Sequence, residues 1–110
     1  MKALFDRLEI FDVERGWDRY NRISSVEERV DALGIETLNM LGEFGEFANE
    51  LKKARRDKNF RKELLAEELT DMFIFLMKLS LILDIDLEEE FNKKMSVNEG
   101  RFAHFVKKEK

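Results

Sequence analysis

The feature that most restricts the fold of this chain is its shortage of residues that break helices. The 110 residues include no proline and only five glycines, and no run alternates β-branched with polar residues. Proline and glycine punctuate turns, and alternation marks half-buried strands. The sequence therefore predicts one all-α domain spanning residues 1–110, with a core of about 25–102.

Signals for helix ends divide the chain into four helices. Gly16 is a typical helix-ending residue, Ser24 and Ser25 precede Glu27 and Glu28 by three residues in a capping-box pattern, and Asp86 precedes a run of three glutamates. The first expected helix runs from about Leu4 to about Arg15, and a loop follows from Trp17 to Ser24. The second opens with Ser24 and Ser25 and continues to about Ala54. The third is capped near Asp57 or Asn59 and ends around Asp84, and the fourth starts from Asp86.

The third helix is apolar on almost every side from Met72 to Leu83, apart from Lys78 and Ser80. This stretch is too short to span a bilayer, which takes about 20 residues. A helix that is apolar all round is normally buried all round, and a domain of this size can hardly surround it. We therefore expect a four-helix bundle that forms a homo-dimer or homo-tetramer through the third helix.

Charge and composition exclude several classes of partner. The net charge of −4, with 40% charged residues, argues against binding to a nucleic acid polymer or an anionic membrane. The absence of cysteine excludes disulfides and thiolate metal sites. Charges near the N-terminus do not fit a secretory signal, so a cytoplasmic location is expected.

Two pairs of acidic residues are the strongest chemical signal. Glu43 and Glu46 in the second helix, and Glu68 and Asp71 in the third, are each three residues apart and share a helical face. The second pair lies on the stripe that carries Leu64, Phe75 and Leu79, where uncompensated negative charge is costly. Antiparallel packing would join the pairs into a four-carboxylate cluster suited to Mg²⁺ or Mn²⁺. For Glu43 and Glu46 alone, a solvated acidic face explains the spacing equally well.

A di-iron site is the competing metal hypothesis. Di-iron carboxylate bundles repeat a glutamate–histidine pair at a spacing of three. The one histidine, His104, lies near the C-terminus outside any such pair, and is expected to be a surface residue.

The fourth helix carries a row of donors, Lys94, Asn98 and Arg101, at spacings of four and three. Alone, such residues would complement the helix dipole. Opposite a metal–carboxylate cluster they supply the charge, amide and bidentate guanidinium that a polyphosphate needs. Trp17 either stacks on a base or covers the end of the bundle.

In order and separation, four segments resemble the MazG-type all-α nucleoside triphosphate pyrophosphohydrolases: LGEFGEFA from Leu41, EELTDMFIFL from Glu67, DIDLEE from Asp84 and KKMSVNEGRF from Lys93. The resemblance implies Mg²⁺ ligands at Glu43, Glu46, Glu68 and Asp71, and phosphate ligands at Lys94, Asn98 and Arg101. Members of the family often carry two adjacent acids at the start of the first motif, where this chain has Gly42.

The resulting hypothesis is metal-dependent hydrolysis of an NTP or dNTP to the monophosphate and pyrophosphate, as in nucleotide housecleaning, with Glu43 or Glu46 acting on the attacking water. The alternatives are a helical protein-interaction module with a solvated acidic row, and a metal- and nucleotide-binding sensor without turnover.

Overall fold

The computed structural model describes residues 1–107, which form four α-helices and no β-strand. The helices are α1 (Lys2–Arg15), α2 (Val26–Asp57), α3 (Lys62–Leu83) and α4 (Leu87–Arg101). Two short 3₁₀ helices, Arg19–Arg22 and Ala103–Phe105, follow α1 and α4. The predicted all-α class is confirmed. No helix in the described residues is both long and apolar enough to cross a bilayer.

Local capping signals correctly located three of the helix ends. Gly16 ends α1 with φ of 70°, a left-handed conformation that costs glycine little. Ser25 caps α2, because its hydroxyl accepts a hydrogen bond from the backbone N–H of Glu28 at 3.1 Å. The Glu28 carboxylate in turn accepts from the N–H of Ser24 at 3.0 Å. Asp86 caps α4 by accepting from the N–H of Glu89 at 3.0 Å.

The predicted cap at the start of α3 is wrong. Asp57 is the last residue of α2, and its carboxylate pairs with the guanidinium of Arg56 at 2.8 Å. Asn59 is not the cap either, because α3 begins three residues later, after Arg61, without a side-chain cap. The Arg61 guanidinium instead donates to the Glu50 carboxylate at 3.0 Å. An ion pair between α2 and the residue before α3 thus lies at the start of this helix, and no side chain caps its first N–H groups.

Helices α2 and α3 form an antiparallel pair, which is the one extensive interhelical contact among the described residues. Near the start of α2, the guanidinium of Arg29 donates to the Ile82 carbonyl at the end of α3. At the other end of the pair, Glu50 binds Arg61. Helix α4 makes no comparable contact with α2 or α3. A closed four-helix bundle therefore stays a prediction.

A buried polar contact attaches α1 to the pair. The Asp12 carboxylate has 0% exposure, accepts a hydrogen bond from the Tyr20 hydroxyl at 2.9 Å, and lies 3.7 Å from the Lys78 ammonium of α3. The same contact raises the pKa of Tyr20, for which burial is the main cause and the Asp12 carboxylate the second. Asp12 thereby joins α1, the first 3₁₀ helix and α3.

The chain buries little apolar surface by itself. Among the described residues, the buried apolar side chains are Ala32, Met77 and Ile82. The accessible surface is 9037 Å², whereas a compact protein of 13.1 kDa exposes about 6,400 Å². The radius of gyration is 17.9 Å, against about 13 Å for a compact domain of this length. Folding of one copy thus leaves a large apolar area uncovered, including Leu69, Leu76 and Leu83 of α3.

Candidate metal centre

Three of the four predicted carboxylates converge between α2 and α3. One oxygen each of Glu43, Glu68 and Asp71 can be chosen so that all three lie within 4.8 Å of one another. Antiparallel pairing produces this arrangement because it sets the middle of α2 against the first half of α3. We call these residues the carboxylate triad. Among residues 1–107, it is the one group of three or more side chains positioned to share a metal ion.

The triad has unsatisfied oxygens. Glu43 Oε2 and Glu68 Oε2 are both buried and have no hydrogen-bond partner in the described structure. Buried carboxylate oxygens normally accept hydrogen bonds or bind cations, because their desolvation is otherwise uncompensated. Two oxygens bound to one Mg²⁺ at about 2.1 Å are at most about 4.2 Å apart, so movements of about 1 Å would complete the site. The all-oxygen donor set fits Mg²⁺ or Mn²⁺.

The charges of the triad oppose one another. Burial, followed by contact with the Glu46 and Glu43 carboxylates, raises the pKa of Glu68 from 4.5 to about 7. The pKa of Glu43 is also raised, mainly by burial; its contact with Glu68 acts in the opposite direction, and the charges of Glu46 and Asp71 raise it further. In the absence of a cation, the site therefore favours holding a proton near neutral pH.

Glu46 adjoins the triad but is exposed. It touches Glu68 and Glu43 closely enough to raise the pKa of both. A surface depression of about 370 Å³ adjoins Asp71 of the triad and is lined by Ala66, Glu67, Thr70 and Asp71. Glu46 is thus placed to act on a molecule that approaches from solvent.

Glu36 is a further acidic residue on the same face of α2 as Glu43, and it belongs to neither of the two predicted acidic pairs. Its Oε2 is also buried without a partner, and it lies seven residues before Glu43 on the α3-facing side of α2. The spacing of seven was the available signal, since it places both residues on one face of the helix. Glu36 is not a member of the triad.

The predicted phosphate ligands lie on a different element. Lys94 and Arg101 are exposed and Asn98 is half-buried, and α4 extends unbroken through Gly100, so the three share one side of the helix. Because α4 does not pack on α2 or α3, the structure of one copy does not bring these residues to the triad.

Two further aromatic residues are accounted for by local contacts. Trp17 is exposed and packs on Phe11 of α1, with ring centroids 5.9 Å apart. His104 is exposed in the second 3₁₀ helix and stacks on Phe105 at 4.2 Å. A base-stacking role for Trp17 stays a prediction.

The geometry of the triad is thus the structural observation that bears on function. No family model, curated protein or solved structure matches this chain.

Proposed function

We propose that this chain is a Mg²⁺-dependent nucleoside triphosphate pyrophosphohydrolase that converts an NTP or dNTP and water to the monophosphate and pyrophosphate. The observation that carries the proposal is the carboxylate triad, with two buried oxygens that have no partner. The resemblance of the surrounding segments to MazG-type enzymes supplies the reaction class.

Glu43, Glu68 and Asp71 would hold the ion, with Glu46 beside it. Bound Mg²⁺ supplies positive charge that screens the phosphate oxygens and makes an attacking water more acidic. The water is oriented or deprotonated by a carboxylate of the Glu43–Glu46 pair, for attack on the α-phosphorus. Glu46 has access to solvent and to the triad at once, which suits this role.

Lys94, Asn98 and Arg101 would bind the departing phosphates. Their ammonium, amide and guanidinium groups match a polyphosphate, which carries several acceptor oxygens and dispersed negative charge. Since α4 does not pack beside the triad of its own chain, we assign these contacts to α4 of a second copy. The active unit is then a homo-oligomer.

A mixture of two inactive variants should reveal such a shared site. Glu68→Gln removes a triad ligand, and Arg101→Ala removes a phosphate ligand. The two variants are mixed, dissociated and allowed to reassociate. If each site takes its triad from one copy and its α4 from another, half of the random pairs contain one copy of each variant, and each such pair has one intact site out of two. About a quarter of the activity of the unmodified protein should therefore return. A mixture of Glu68→Gln and Asp71→Asn is the control. Both changes remove a triad ligand, so no pair of these chains has an intact site and no activity should return. Absence of recovery in the first mixture would place α4 and the triad of one chain in the same site.

Mg²⁺ affinity should depend on pH. Because the raised pKa of Glu68 is about 7, the metal-free folded state holds a proton that the unfolded state releases from about pH 4.5 upward. The free energy of unfolding without metal should therefore fall as pH rises from about 5 to about 7. Over the same interval Mg²⁺ must displace that proton, so its affinity should rise about tenfold per pH unit and level off above about pH 7.

Isothermal titration of Mg²⁺ in buffers of different ionisation enthalpy measures the number of protons released. Below pH 7 it should show release that disappears at higher pH. Glu68→Gln should abolish this release. A pH-independent affinity for the unmodified protein would contradict the assignment of Glu68 as the proton-binding ligand.

The function itself is tested by pyrophosphate release from a panel of standard and modified NTPs and dNTPs with Mg²⁺. Release of pyrophosphate together with a monophosphate is expected, whereas release of orthophosphate would indicate cleavage at a different bond. If nucleotide binds in the presence of Mg²⁺ but no pyrophosphate is released even at high protein concentration, the protein is a sensor and not an enzyme. If the protein neither binds nucleotide nor is stabilised by Mg²⁺, the hypothesis that remains is a helical interaction module with a solvated acidic row.

A further inference from the structure

The side of α2 that faces away from α3 is apolar and uncovered. Its exposed large residues, which we call the outer face of α2, are Val30, Leu38, Leu41, Phe44 and Leu51. At about 100° per residue, Val30, Leu38 and Leu41 lie on the side of the helix opposite Glu43, whereas Phe44 and Leu51 lie at the border between that side and the α3-facing side. Gly34, Gly45 and Ala48 lie between them, and a Cβ added at either glycine would meet nothing within 4 Å. The small residues therefore leave room for the close approach of another helix.

The uncovered area is large enough for a stable interface. One copy exposes about 2,600 Å² more than a compact protein of its mass. A standard interface buries about 800 Å² on each partner, and obligate dimers bury more. This excess counts polar and apolar surface over the whole chain. The outer face of α2 extends over about six turns of a helix of 32 residues, so a partner helix of comparable length would cover it.

The charges at the two ends of the outer face indicate what that partner is. Glu27 and Asp31 flank its beginning, whereas Lys52 and Arg55 flank its end. Neither Glu27 nor Arg55 has an ion-pair partner among residues 1–107. A second α2 in antiparallel orientation would set each acidic end against a basic end. A parallel copy would oppose like charges.

We propose that a second copy of this chain docks on the outer face of α2, with the two α2 helices antiparallel and the two-fold axis near Leu41. The interface is isologous, so each residue before the axis meets one after it. It differs from the contact through α3 that the sequence predicted. It goes beyond the proposed function and does not depend on it, because the outer face of α2 includes no residue of the carboxylate triad.

A pair of matched variants tests the surface. Leu41 and Leu69 are 56% and 57% exposed, on α2 and α3 respectively. Light scattering coupled to gel filtration should give the unmodified protein a mass at least twice the 13.1 kDa of one chain. Leu41→Glu should raise the dissociation constant of the α2 contact about thirtyfold or more, as expected at the centre of an interface. Leu69→Glu should leave that contact intact. A monomeric unmodified protein, or dissociation by Leu69→Glu instead of Leu41→Glu, would overturn the proposal.

Cross-linking tests the orientation and does not require a disruptive change. The chain has no cysteine, so introduced cysteines react alone with a short bis-maleimide. Leu41→Cys should cross-link two copies. Val30→Cys should not do so by itself, but Val30→Cys combined with Lys52→Cys should. These two positions are about 33 Å apart along one α2, so that bridge must join two chains. Cross-linking of Val30→Cys alone would show parallel helices, and no cross-link from Leu41→Cys would exclude the interface.

Discussion

Pyrophosphate release should fall by more than about a hundredfold when Glu68 is replaced by glutamine. The amide keeps the size of the side chain but removes the negative charge of the most perturbed triad carboxylate. It also places an NH₂ group where a cation ligand is needed. Asp71→Asn should have the same effect, because its oxygen converges with those of Glu43 and Glu68.

Stability measurements separate this loss from misfolding. The raised pKa of Glu68 means that its charge is unfavourable in the metal-free folded state. Glu68→Gln should therefore unfold at a higher temperature than the unmodified protein at pH 8 without metal, and should lose most of the further stabilisation by Mg²⁺. The adjacent Glu67 is exposed and outside the triad, so Glu67→Gln is the control and should retain activity. Activity near the unmodified level in Glu68→Gln would show that the metal site lies elsewhere.

The second large effect concerns stability and involves a residue that the sequence did not single out. Asp12→Ala should lower the free energy of unfolding by about 3 kcal/mol, because it leaves the half-buried Lys78 ammonium without its partner and the Tyr20 hydroxyl without an acceptor. The unfolding temperature should fall by about 13 °C, measured by circular dichroism at a fixed protein concentration.

Two comparisons identify the cause of that loss. Asp6→Ala removes an exposed partner of Lys2 at 2.8 Å and should leave the unfolding temperature nearly unchanged. Combining Asp12→Ala with Lys78→Met should recover part of the loss, since the second change removes the isolated charge. An Asp12→Ala variant as stable as Asp6→Ala would mean that the buried contact does not hold α1 in place.

Local sequence signals located most helix ends because the groups that satisfy them are close in the chain. Gly16, Ser25 and Asp86 each act within four residues, on carbonyls or N–H groups that the helix itself leaves unpaired. The start of α3 was predicted wrongly: no side chain caps it, and the residue before its first turn, Arg61, instead pairs with Glu50 of α2, eleven residues away.

The candidate metal site could likewise be predicted only in part from the sequence. Spacing placed Glu43 with Glu46 and Glu68 with Asp71, and the apolar stripe around Glu68 indicated a buried position. Which three of the four carboxylates converge was not encoded in either spacing, because it depends on how far α2 is shifted along α3. That shift placed Glu46 at the exposed edge and Glu43 in the triad.

The sequence by itself determined an all-helical chain, the positions of most helix ends and two acidic pairs on helical faces, because each follows from interactions between near neighbours and from helical periodicity. Only the tertiary structure decided which faces are covered. It turned the acidic side of α2 toward α3, left its apolar side open, and kept α4 away from the triad. Such choices depend on the packing of whole helices, since an apolar stripe specifies that a face needs a partner but not which partner it receives.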